Sequence, residues 1–371
     1  MPKLFVASGI FHPEPGGPAT YLTTILPALQ ELGWQPRVLT FGEPGADDYP
    51  YPVTRIARVP YLIRQARYAL AARKHLAWAD LVYAHTIDLP LLGSPEVPRV
   101  IKVVGDQAWE RCIRRGWIRA DCRIDEFQAF GGDWRVRWQK ASRSRQVAAL
   151  DAVIVPSQYL KRMVTAWGVD QGKVHVIYNA LPPMQPLRET LAEIRSQLNW
   201  DDRPTLLTVV RLQRWKGVDH LIEALRQLPD LRLVVVGDGP DRPRLAELAA
   251  PLGDRVIFKG RLDRNRVHRL MRAADALALY SGYEGLSHTL LESLRLETPV
   301  LASDIGGNPE IIRHGVNGVL VPYVDIAALQ HGIMELLERR YELAANSQVG
   351  LDRFRLDTMA TRTDALLRSL L

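Results

Sequence analysis

The sequence has 371 residues, which exceeds the size at which a single hydrophobic core usually divides, so we expect two domains. Hydrophobic residues make up 47% and charged residues 24%, which argues against disorder or a coiled coil for most of the chain. Two cysteines, Cys112 and Cys122, are too few for a disulfide framework, and no His/Cys cluster has zinc spacing. The net charge of +7 lies wholly in residues 1–200, which carry 25 Lys and Arg against 18 Asp and Glu.

Apolar runs of strand length alternate with amphipathic stretches along the sequence. The apolar runs, which we predict as strands, are residues 3–9, 36–41, 80–84, 99–104, 151–155, 174–177, 205–210, 231–236, 255–259, 275–280, 299–302 and 318–321. The predicted helices are residues 18–33, 217–228, 241–252 and 287–296, with one or two more in residues 351–371. Because the strands are apolar throughout, they are typical of parallel sheets covered on both faces. The sequence therefore predicts two doubly wound α/β domains.

The boundary between the domains is expected within residues 181–204, where four prolines lie among polar residues. We assign residues 1–185 to the first domain and 186–352 to the second. The apolar run that begins at Leu4 stops by Phe11 at a Gly/Pro turn, whereas a secretory leader needs a basic stretch, a longer run and a cleavage site. No run of about 20 apolar residues occurs, so we expect no spanning helix. The two cysteines fit a reducing compartment, so we expect a cytoplasmic protein.

Two glutamates flank a glycine turn in the second domain. Glu284 and Gly285 follow the predicted strand 275–280, and Glu292 lies within the predicted helix 287–296. A strand, a glycine turn and a helix start form an anion site, because free N–H groups point outward there and the helix dipole favours negative charge. Carboxylates beside such a site accept hydrogen bonds from hydroxyls, so the pattern indicates a nucleotide sugar. Surface glutamates on a solvated helix are the alternative.

Two cations follow another strand of the same domain. Arg211 and Lys216 lie between the predicted strand 205–210 and the next helix. At the carboxyl end of a parallel strand they can reach a ligand, and an Arg/Lys pair suits a diphosphate. In the first domain, Gly16 and Gly17 allow close approach of phosphate or sugar, although no G-x-G-x-x-G fingerprint is present. A solvated cation pair and a ligand-free turn are the alternatives.

These motifs occur together and in order over nearly the whole chain. As a set they resemble the retaining GT-B glycosyltransferases, most closely glycosyltransferase family 4, or group 1. Besides the glycine turn, the matching segments are LVYAH (81–85), DAVIVPSQYLKR (151–162), KVHVIYNAL (173–181), VVRLQRWKGVDHLIEAL (209–225), LVVVGDGP (233–240), VIFKGRL (256–262), ADALALYSGYEGLSHTLLE (274–292), PVLASDIGGNPEII (299–312) and NGVLVP (317–322). The resemblance implies two Rossmann-like domains facing a cleft, with a C-terminal helix, about residues 353–371, that crosses back to the first domain.

The resemblance also implies the reaction, which is transfer of a hexose-type sugar from a nucleoside-diphosphate sugar to an acceptor hydroxyl, with retention. Arg211 and Lys216 would hold the donor diphosphate, and Gly16 and Gly17 would close over it from the other side. Since cations and amides stabilise the leaving diphosphate, no cofactor and no bound metal is expected for the chemistry.

Further donor contacts follow from the family motifs. Glu292 would bind the ribose hydroxyls and Glu284 the sugar hydroxyls. The remaining implied contacts are the amides of Gly285, Leu286 and Ser287 near the sugar or phosphate, and the backbone of Arg261 and Leu262 beside the base. The predicted catalytic residues are Arg211, Lys216, Glu284 and Asp106.

The sequence departs from the family pattern in three places. Many relatives carry a histidine where this chain has Asp106, which could accept the acceptor proton, bond to a sugar hydroxyl or cap a helix. Ser287 and His288 replace a glycine-rich or more apolar pair and would tune the choice of sugar. His85 lines the cleft or ends a strand. We take His85, Asp106 and Trp109 as the acceptor-side candidates.

The acceptor itself is less well defined. Residues 55–74 hold six basic and no acidic side chains, and residues 99–145 hold 12 basic and six acidic ones. With tryptophans 109, 117, 134 and 138, this suits an anionic glycan, a lipid-linked acceptor or peripheral contact with the inner face of an anionic membrane; packing of tryptophans against arginine stems is the alternative. No nucleic-acid-binding module is recognisable.

Two other functions compete with glycosyl transfer. One is that of another GT-B nucleotide-sugar enzyme, such as an epimerase, and the other is that of a non-enzymatic basic binding protein.

Overall fold

The computed structural model describes residues 1–14, 16–43, 48–91, 96–182, 184, 187 and 189–371. The chain divides into two compact units. Unit 1 comprises Met1–Trp117, Gly131–Pro182 and Asp352–Leu371, and unit 2 comprises residues 118–130 and 183–351. The predicted boundary at residues 185 and 186 lies outside the described residues. The sequence does not predict that residues 118–130 belong to unit 2.

Each unit is built on a parallel sheet. The strands of unit 1 are β1 (Lys3–Ala7), β2 (Gln35–Phe41), β3 (Val53–Ile56), β4 (Leu81–Ala84), β5 (Arg99–Lys102), β6 (Ala152–Val155) and β7 (Val174–Val176). Those of unit 2 are β8 (Thr205–Val209), β9 (Arg232–Val236), β10 (Val256–Gly260), β11 (Ala276–Leu279), β12 (Val300–Ser303) and β13 (Val319–Val321). Among the described residues, the strand orders are β3-β2-β1-β4-β5-β6-β7 and β10-β9-β8-β11-β12-β13.

Helices connect these strands. In chain order they are α1 (Gly17–Glu31), α2 (Tyr61–Trp78), α3 (Gln107–Arg114), α4 (Ile124–Ala129), α5 (Trp134–Ala148), α6 (Gln158–Ala166), α7 (Leu191–Gln197), α8 (Val218–Ala224), α9 (Arg242–Ala249), α10 (Arg264–Ala273), α11 (His288–Arg295), α12 (Ile326–Glu338), α13 (Arg340–Ala345) and α14 (Leu356–Arg368). Short 3₁₀ turns add Gln171–Lys173, Arg214–Lys216, Leu225–Gln227, Ala250–Arg255, Asn308–Glu310 and Asp352–Phe354.

The two parallel sheets confirm the predicted pair of Rossmann-like domains. Every predicted strand overlaps a strand of the structure, with ends that agree within two residues. The sequence misses β3, because this half-buried edge strand of four residues has no continuous apolar run. The sequence analysis does not assign α2 to α6, α10, α12 and α13. It also misses α7 within the predicted linker, where Thr190 and Glu193 form a capping box that marks a helix start.

The last helix of the chain belongs to unit 1, as predicted. Met359 and Leu367 of α14 lie in the same hydrophobic core as Leu22 and other residues of α1. The indole N–H of Trp34, just after α1, donates a hydrogen bond to Asp364 Oδ1 over 2.7 Å. Helix α14 therefore completes one face of the first sheet.

Each sheet has one place where the order of its strands reverses. In unit 1 it lies between β1 and β4, and in unit 2 between β8 and β11. At such a point the loops after the two strands lead away in opposite directions and leave a crevice at their carboxyl ends. These two edges are therefore the places to look for ligand-binding residues.

Candidate functional site

The loop that follows β8 is fixed to the loop that follows β11. The N–H of Gly282 donates to the carbonyl of Trp215 over 2.7 Å. Gly217 has a φ of 63°, and a Cβ atom at this residue would lie 1.9 Å from the carbonyl oxygen of Tyr280. Only glycine permits such an approach. The turn Arg214–Lys216 is thereby held at the reversal point of the sheet.

Lys216 and Glu284 form an ion pair at this edge. The Nζ atom of Lys216 lies 2.5 Å from Oε1 of Glu284, and both side chains keep some contact with solvent. Arg211 follows the same strand as Lys216, and its side chain is exposed. An ammonium and a carboxylate that neutralise each other at an accessible edge can exchange partners with a ligand that offers both phosphate and hydroxyl groups.

The backbone around Glu284 is held from the next strand. The N–H of Gly307 donates to the carbonyl of Glu284 over 2.9 Å. Gly306 has a φ of 67°, and a Cβ atom there would lie 2.2 Å from the same carbonyl oxygen. Two residues of the loop after β12 thus fix the glutamate that pairs with Lys216.

The predicted helix start after Gly285 is present. Ser287 is the N-cap of α11, and its Oγ accepts a hydrogen bond from the N–H of Leu290 over 3.2 Å. Gly285 and Ser287 are buried, and Leu286 is half-buried. The Ser287 hydroxyl thus accepts one hydrogen bond from its own helix, and its O–H can still donate.

Glu292 lies on α11 and is oriented by side chains of α10. Its Oε1 accepts hydrogen bonds from Arg264 Nη2 over 2.8 Å and from Arg264 Nε over 3.1 Å. His268 Nε2 lies 3.7 Å from the same oxygen. Burial raises the pKa of the Glu292 carboxyl, but the interaction with His268 and the charge of Arg264 outweigh burial, and the pKa lies below its ordinary value. The sequence analysis missed both partners, although their i,i+4 spacing on one helix was a usable signal.

Arg261 and Leu262 follow β10, the edge strand of the sheet. Arg261 is exposed and Leu262 is half-buried. In the strand order they lie two strands away from β8, so the structure does not place them beside Lys216.

In unit 1, the reversal point is closed by a hydrogen bond between the loops after β1 and β4. The N–H of Gly9 donates to Thr86 Oγ1 over 2.9 Å. Gly16 is the N-cap residue of α1 and Gly17 is its first residue, and both are exposed. The predicted glycine loop therefore lies at the start of a helix, where backbone N–H groups are available.

Asp106 is the buried N-cap of α3. Its Oδ1 accepts hydrogen bonds from the N–H groups of Ala108 over 3.0 Å and Trp109 over 3.2 Å, and its Oδ2 is ion-paired with the guanidinium of Arg143. Asp106, Arg143 and Trp109 are all buried. The geometry favours the helix-cap alternative for Asp106, because both carboxylate oxygens are engaged inside unit 1, and it places the Trp109 indole in the core.

His85 is buried directly after β4, next to Lys102, which ends β5. Its ring centroid lies 4.3 Å from that of Tyr83. His85 thus lies at the end of a strand, which is one of the two interpretations given for it in the sequence analysis. Sequence reasoning missed Lys102, although one lysine within the apolar run RVIKVV was a signal.

The tryptophans of the first domain differ in exposure. Trp109 is buried and Trp117 is half-buried, whereas Trp134 and Trp138 of α5 are exposed. The Arg135 guanidinium lies 5.6 Å from the ring centroid of Trp134.

Within the described residues, no helix has the length and apolar character needed to cross a bilayer. In the same part of the chain, no group of three or more His, Cys, Asp or Glu side chains could hold a metal ion.

Comparison with family models assigns both halves of the chain. Residues 15–184 match the model described as "Glycosyltransferase Family 4", and residues 191–348 match the model described as "Glycosyl transferases group 1". Together the two models cover the sheet of unit 2 and all strands of the unit 1 sheet except β1, which precedes residue 15.

Named relatives are similar over part of their length. The chain is 33% identical over 232 residues to the D-inositol 3-phosphate glycosyltransferase of Xylanimonas cellulosilytica, covering 58% of this chain and 56% of the relative. It is 33% identical over 165 residues to the alpha-D-kanosaminyltransferase of Streptomyces kanamyceticus, covering 42% and 43% of the two chains. The chain thus spans about half the length of the relatives that it matches.

Solved structures share the whole fold. The sucrose-phosphate synthase of Thermosynechococcus elongatus superposes with a TM-score of 0.79 at 22% identity, covering 100% of this chain and 99% of the other. Anabaena HepE, solved in complex with UDP and glucose, superposes with a TM-score of 0.78 at 22% identity over 100% of both chains. At this identity the likeness establishes the fold.

Proposed function

Because the chain belongs to glycosyltransferase family 4, the group 1 glycosyltransferases, we propose that it transfers a sugar from a nucleoside-diphosphate sugar to an acceptor hydroxyl with retention of anomeric configuration. The observation that carries this proposal is the Lys216–Glu284 ion pair at the reversal point between β8 and β11. It is supported by the named relatives, which are glycosyltransferases, and by the structural neighbour HepE, which was solved with UDP-glucose.

Donor binding would exchange the partners of this ion pair. The diphosphate takes Lys216 and the exposed Arg211, since a guanidinium and an ammonium both bind phosphate oxygens. Glu284 is then free to accept hydrogen bonds from sugar hydroxyls. The amides of Gly285, Leu286 and Ser287 lie at the start of α11, where N–H groups and the helix dipole favour the negatively charged end of the donor.

Glu292 is assigned to the ribose. Its carboxylate is ionised, and Arg264 holds it through Oε1 alone, so the second oxygen can accept from ribose hydroxyls. We assign the backbone after β10, at Arg261 and Leu262, to the base. A nucleoside would then extend along the carboxyl edge of the sheet from β11 towards β10.

The chemistry needs stabilisation of the leaving group above all. When the bond between the anomeric carbon and the diphosphate oxygen breaks, negative charge develops on that oxygen beside Arg211 and Lys216. Interactions that are stronger in the transition state than with the bound substrate accelerate the reaction. We assign the proton of the acceptor hydroxyl to the leaving phosphate, on the same face of the sugar, which gives retention. Asp106 is less suited to this step, because Arg143 and two backbone N–H groups already occupy its oxygens.

A calorimetric panel of nucleotide sugars, beginning with UDP-glucose, tests the proposal. We expect at least one of them to bind the wild-type protein and Lys216→Ala to bind it at least tenfold more weakly. Arg226→Ala removes an exposed arginine on the turn that follows α8, at the opposite edge of the sheet, and should leave binding unchanged. If no nucleotide sugar bound, or if Lys216→Ala bound as well as the wild type, the donor assignment would be wrong.

We also propose that α2 rests on an anionic membrane, where a lipid-linked or glycan acceptor would be found. The inner face of this helix is buried through Tyr68, Ala72 and Leu76. Its outer face carries large apolar side chains among basic ones. Leu62 is 80% and Leu70 is 65% exposed, beside the exposed Arg67, Arg73 and Lys74. The exposed group also includes Tyr61 and Ile63.

The charge around α2 favours lipid over a second copy of the chain. The helix carries Arg64, Arg67, Arg73 and Lys74, and residues 49–79 contain no Asp or Glu. Two copies meeting on this face would bring like charges together, whereas an anionic bilayer offers both an apolar layer and negative headgroups. Basic helices with one apolar face lie in the membrane interface in this way.

Sedimentation with phosphatidylglycerol vesicles tests this contact. We expect binding that falls as salt is raised, since the attraction between surface charges is screened, and that is weakened by the double change Leu62→Ser and Leu70→Ser. The control is Leu32→Ser, an exposed leucine of the same unit, which should bind as the wild type. Equal binding of the double variant, or no preference for anionic lipid, would refute the role of α2.

A further inference from the structure

Two basic side chains are buried together at the carboxyl edge of the unit 1 sheet. Lys102 is the last residue of β5 and His85 is the first residue after β4, and these strands are neighbours. Lys102 is 2% exposed and His85 is 5% exposed. Lysine is almost never buried to this extent unless it is paired.

Within the described residues, neither group has the partner that burial normally requires. Neither Lys102 Nζ nor His85 Nε2 takes part in a hydrogen bond there. The Nζ atom lies 4.0 Å from the ring centroid of Tyr21, which offers a cation–π contact but no acceptor oxygen. The phenol groups of Tyr21 and Tyr83 bond to each other over 2.8 Å. A buried polar group without a partner is costly, so a missing partner is expected.

No negative charge among the described neighbours balances the pair. Burial alone lowers the pKa of Lys102 to about 7. Burial, followed by the charge of Lys102, lowers the pKa of His85 well below its ordinary value. The groups that face them are the phenol of Tyr21 on α1 and the phenol of Tyr83 on β4, which bond to each other. The Thr363 hydroxyl of α14 donates to the carbonyl of Met359 in its own helix over 2.7 Å. An anion would supply the first negative charge among them.

The cluster lies close to an accessible edge. Two residues beyond Lys102, Val104 is exposed, and one residue beyond His85, Thr86 is half-buried at the reversal point between β1 and β4. In parallel sheets this edge is where ligands bind. The side chains therefore lie just beneath the loops that a ligand of unit 1 would contact.

We propose that Lys102 and His85 form a subsite for one oxyanion group, of the phosphate or sulfate type. The ammonium of Lys102 supplies the charge, and the Nε2 of a neutral His85 supplies one hydrogen bond. The subsite lies in unit 1, apart from the donor residues of unit 2. That its oxyanion belongs to the acceptor rests on the proposed function, and would make the acceptor an anionic sugar or lipid.

Proton linkage distinguishes this subsite from ordinary anion binding. An anion stabilises the charged form of Lys102, so binding takes up protons where the free lysine is partly neutral. With a pKa of about 7, binding at pH 7 should take up about half a proton, and affinity should fall about tenfold from pH 6 to pH 8. Sulfate is the probe, because its own charge does not change over this range.

The experiment is calorimetry of sulfate binding to the full chain in two buffers of different ionisation enthalpy. Lys102→Met should abolish the proton-linked event. His85→Leu should weaken it severalfold and keep the proton uptake. Lys216→Met removes one of the two donor cations of unit 2 and should leave the event intact, which separates this subsite from donor phosphate binding.

The outcomes decide the proposal in each case. Proton-linked sulfate binding that Lys102→Met removes supports the subsite. Absence of binding, binding without proton uptake, or binding unchanged in Lys102→Met overturns it, and if that variant does not fold, the pH dependence of the wild type decides alone. A hexose sulfate, whose charge is also constant over this range, supports an anionic acceptor if it binds with the same linkage and the free hexose does not. Sulfate binding without hexose sulfate binding would refute the acceptor step and leave a free-ion subsite, whether or not nucleotide sugars bind.

Discussion

The carboxyl edges of the two sheets hold charged side chains in opposite ways. In unit 2, Lys216 pairs with Glu284 and Arg264 pairs with Glu292, and these side chains keep contact with solvent. In unit 1, the pair of Asp106 and Arg143 is buried. Accessible ion pairs contribute little to stability and exchange partners easily, whereas removing one member of a buried pair is strongly destabilising. The ion pairs of unit 2 can therefore exchange partners with a ligand, whereas the Asp106–Arg143 pair of unit 1 supports the structure.

The strongest test of this contrast is Asp106→Ala. It leaves the Arg143 charge buried without its partner and removes the cap of α3, so we expect a loss of about 3–5 kcal/mol in the free energy of unfolding. Urea denaturation measures this loss.

The matched control for Asp106 is Asp133→Ala. Asp133 also caps a helix through two backbone N–H groups, those of Arg135 and Val136, but it is exposed. Its loss should cost about 1 kcal/mol. Equal stability losses for the two variants, with a large loss of turnover only in Asp106→Ala, would contradict the structural role and restore Asp106 as an acceptor-side residue.

The second prediction concerns the cations of unit 2. Arg211→Ala and Lys216→Ala each remove a charge beside the leaving diphosphate, and each should lower turnover about 100–1000-fold. Thermal stability should change little in Arg211→Ala, because Arg211 is exposed. It should fall more in Lys216→Ala, because the Glu284 side chain is only 13% exposed and loses its partner. Wild-type turnover in either variant, measured as release of nucleoside diphosphate, would show that this residue does not act on the donor.

The third prediction concerns nucleotide affinity. Glu292→Ala removes hydrogen bonds between a carboxylate and the ribose, each worth about 1.5–3 kcal/mol, so the dissociation constant of the nucleoside diphosphate should rise about tenfold or more. Glu223→Ala, an exposed glutamate of α8, is the control and should bind normally. An unchanged constant in Glu292→Ala would remove its ribose role.

The direction of the Glu292 pKa adds a pH dependence. Since His268 and Arg264 hold this pKa below its ordinary value, the carboxylate stays ionised as the pH falls through the range in which an unperturbed glutamate takes up a proton. The Glu292 contribution to nucleotide binding should therefore persist there and disappear only at lower pH. Calorimetry of the wild type and Glu292→Ala at several pH values measures the difference, and convergence of the two near pH 5 would contradict it.

The smallest expected effect is that of Ser287→Ala. This change removes the cap of α11 and should lower the free energy of unfolding by about 1 kcal/mol, with the sugar preference unchanged. Ser287→Thr keeps a capping hydroxyl and should keep the stability. A changed sugar preference in Ser287→Ala at wild-type stability would assign the hydroxyl to the donor sugar.

The sequence predicts the fold well because buried parallel strands are marked by continuous apolar runs, as β9 and β12 are. It also indicates the residues that follow those strands, so the positions of Lys216 and Glu284 along the chain are enough to make them candidates. It cannot show that they pair with each other, since they are 68 positions apart in the chain.

Burial is what the sequence leaves undetermined. Asp106 has more than one interpretation in the sequence, and only the position of Arg143, 37 residues later, favours one of them. Lys102 is hidden within an apolar run, and its lack of a hydrogen-bond partner among the described residues depends on which side chains of α1 and β4 surround it. Residues distant in the chain determine whether such a side chain is buried and paired. Residue type and spacing along the chain do not show which residues these are.

A structure of the protein with a nucleoside-diphosphate sugar bound would test most directly whether the reversal point between β8 and β11 holds the donor. We predict that Lys216 Nζ leaves Glu284 and lies about 3 Å from a diphosphate oxygen, while Glu284 accepts a hydrogen bond from a sugar hydroxyl. A donor bound elsewhere, with the Lys216–Glu284 pair intact, would contradict the proposed site.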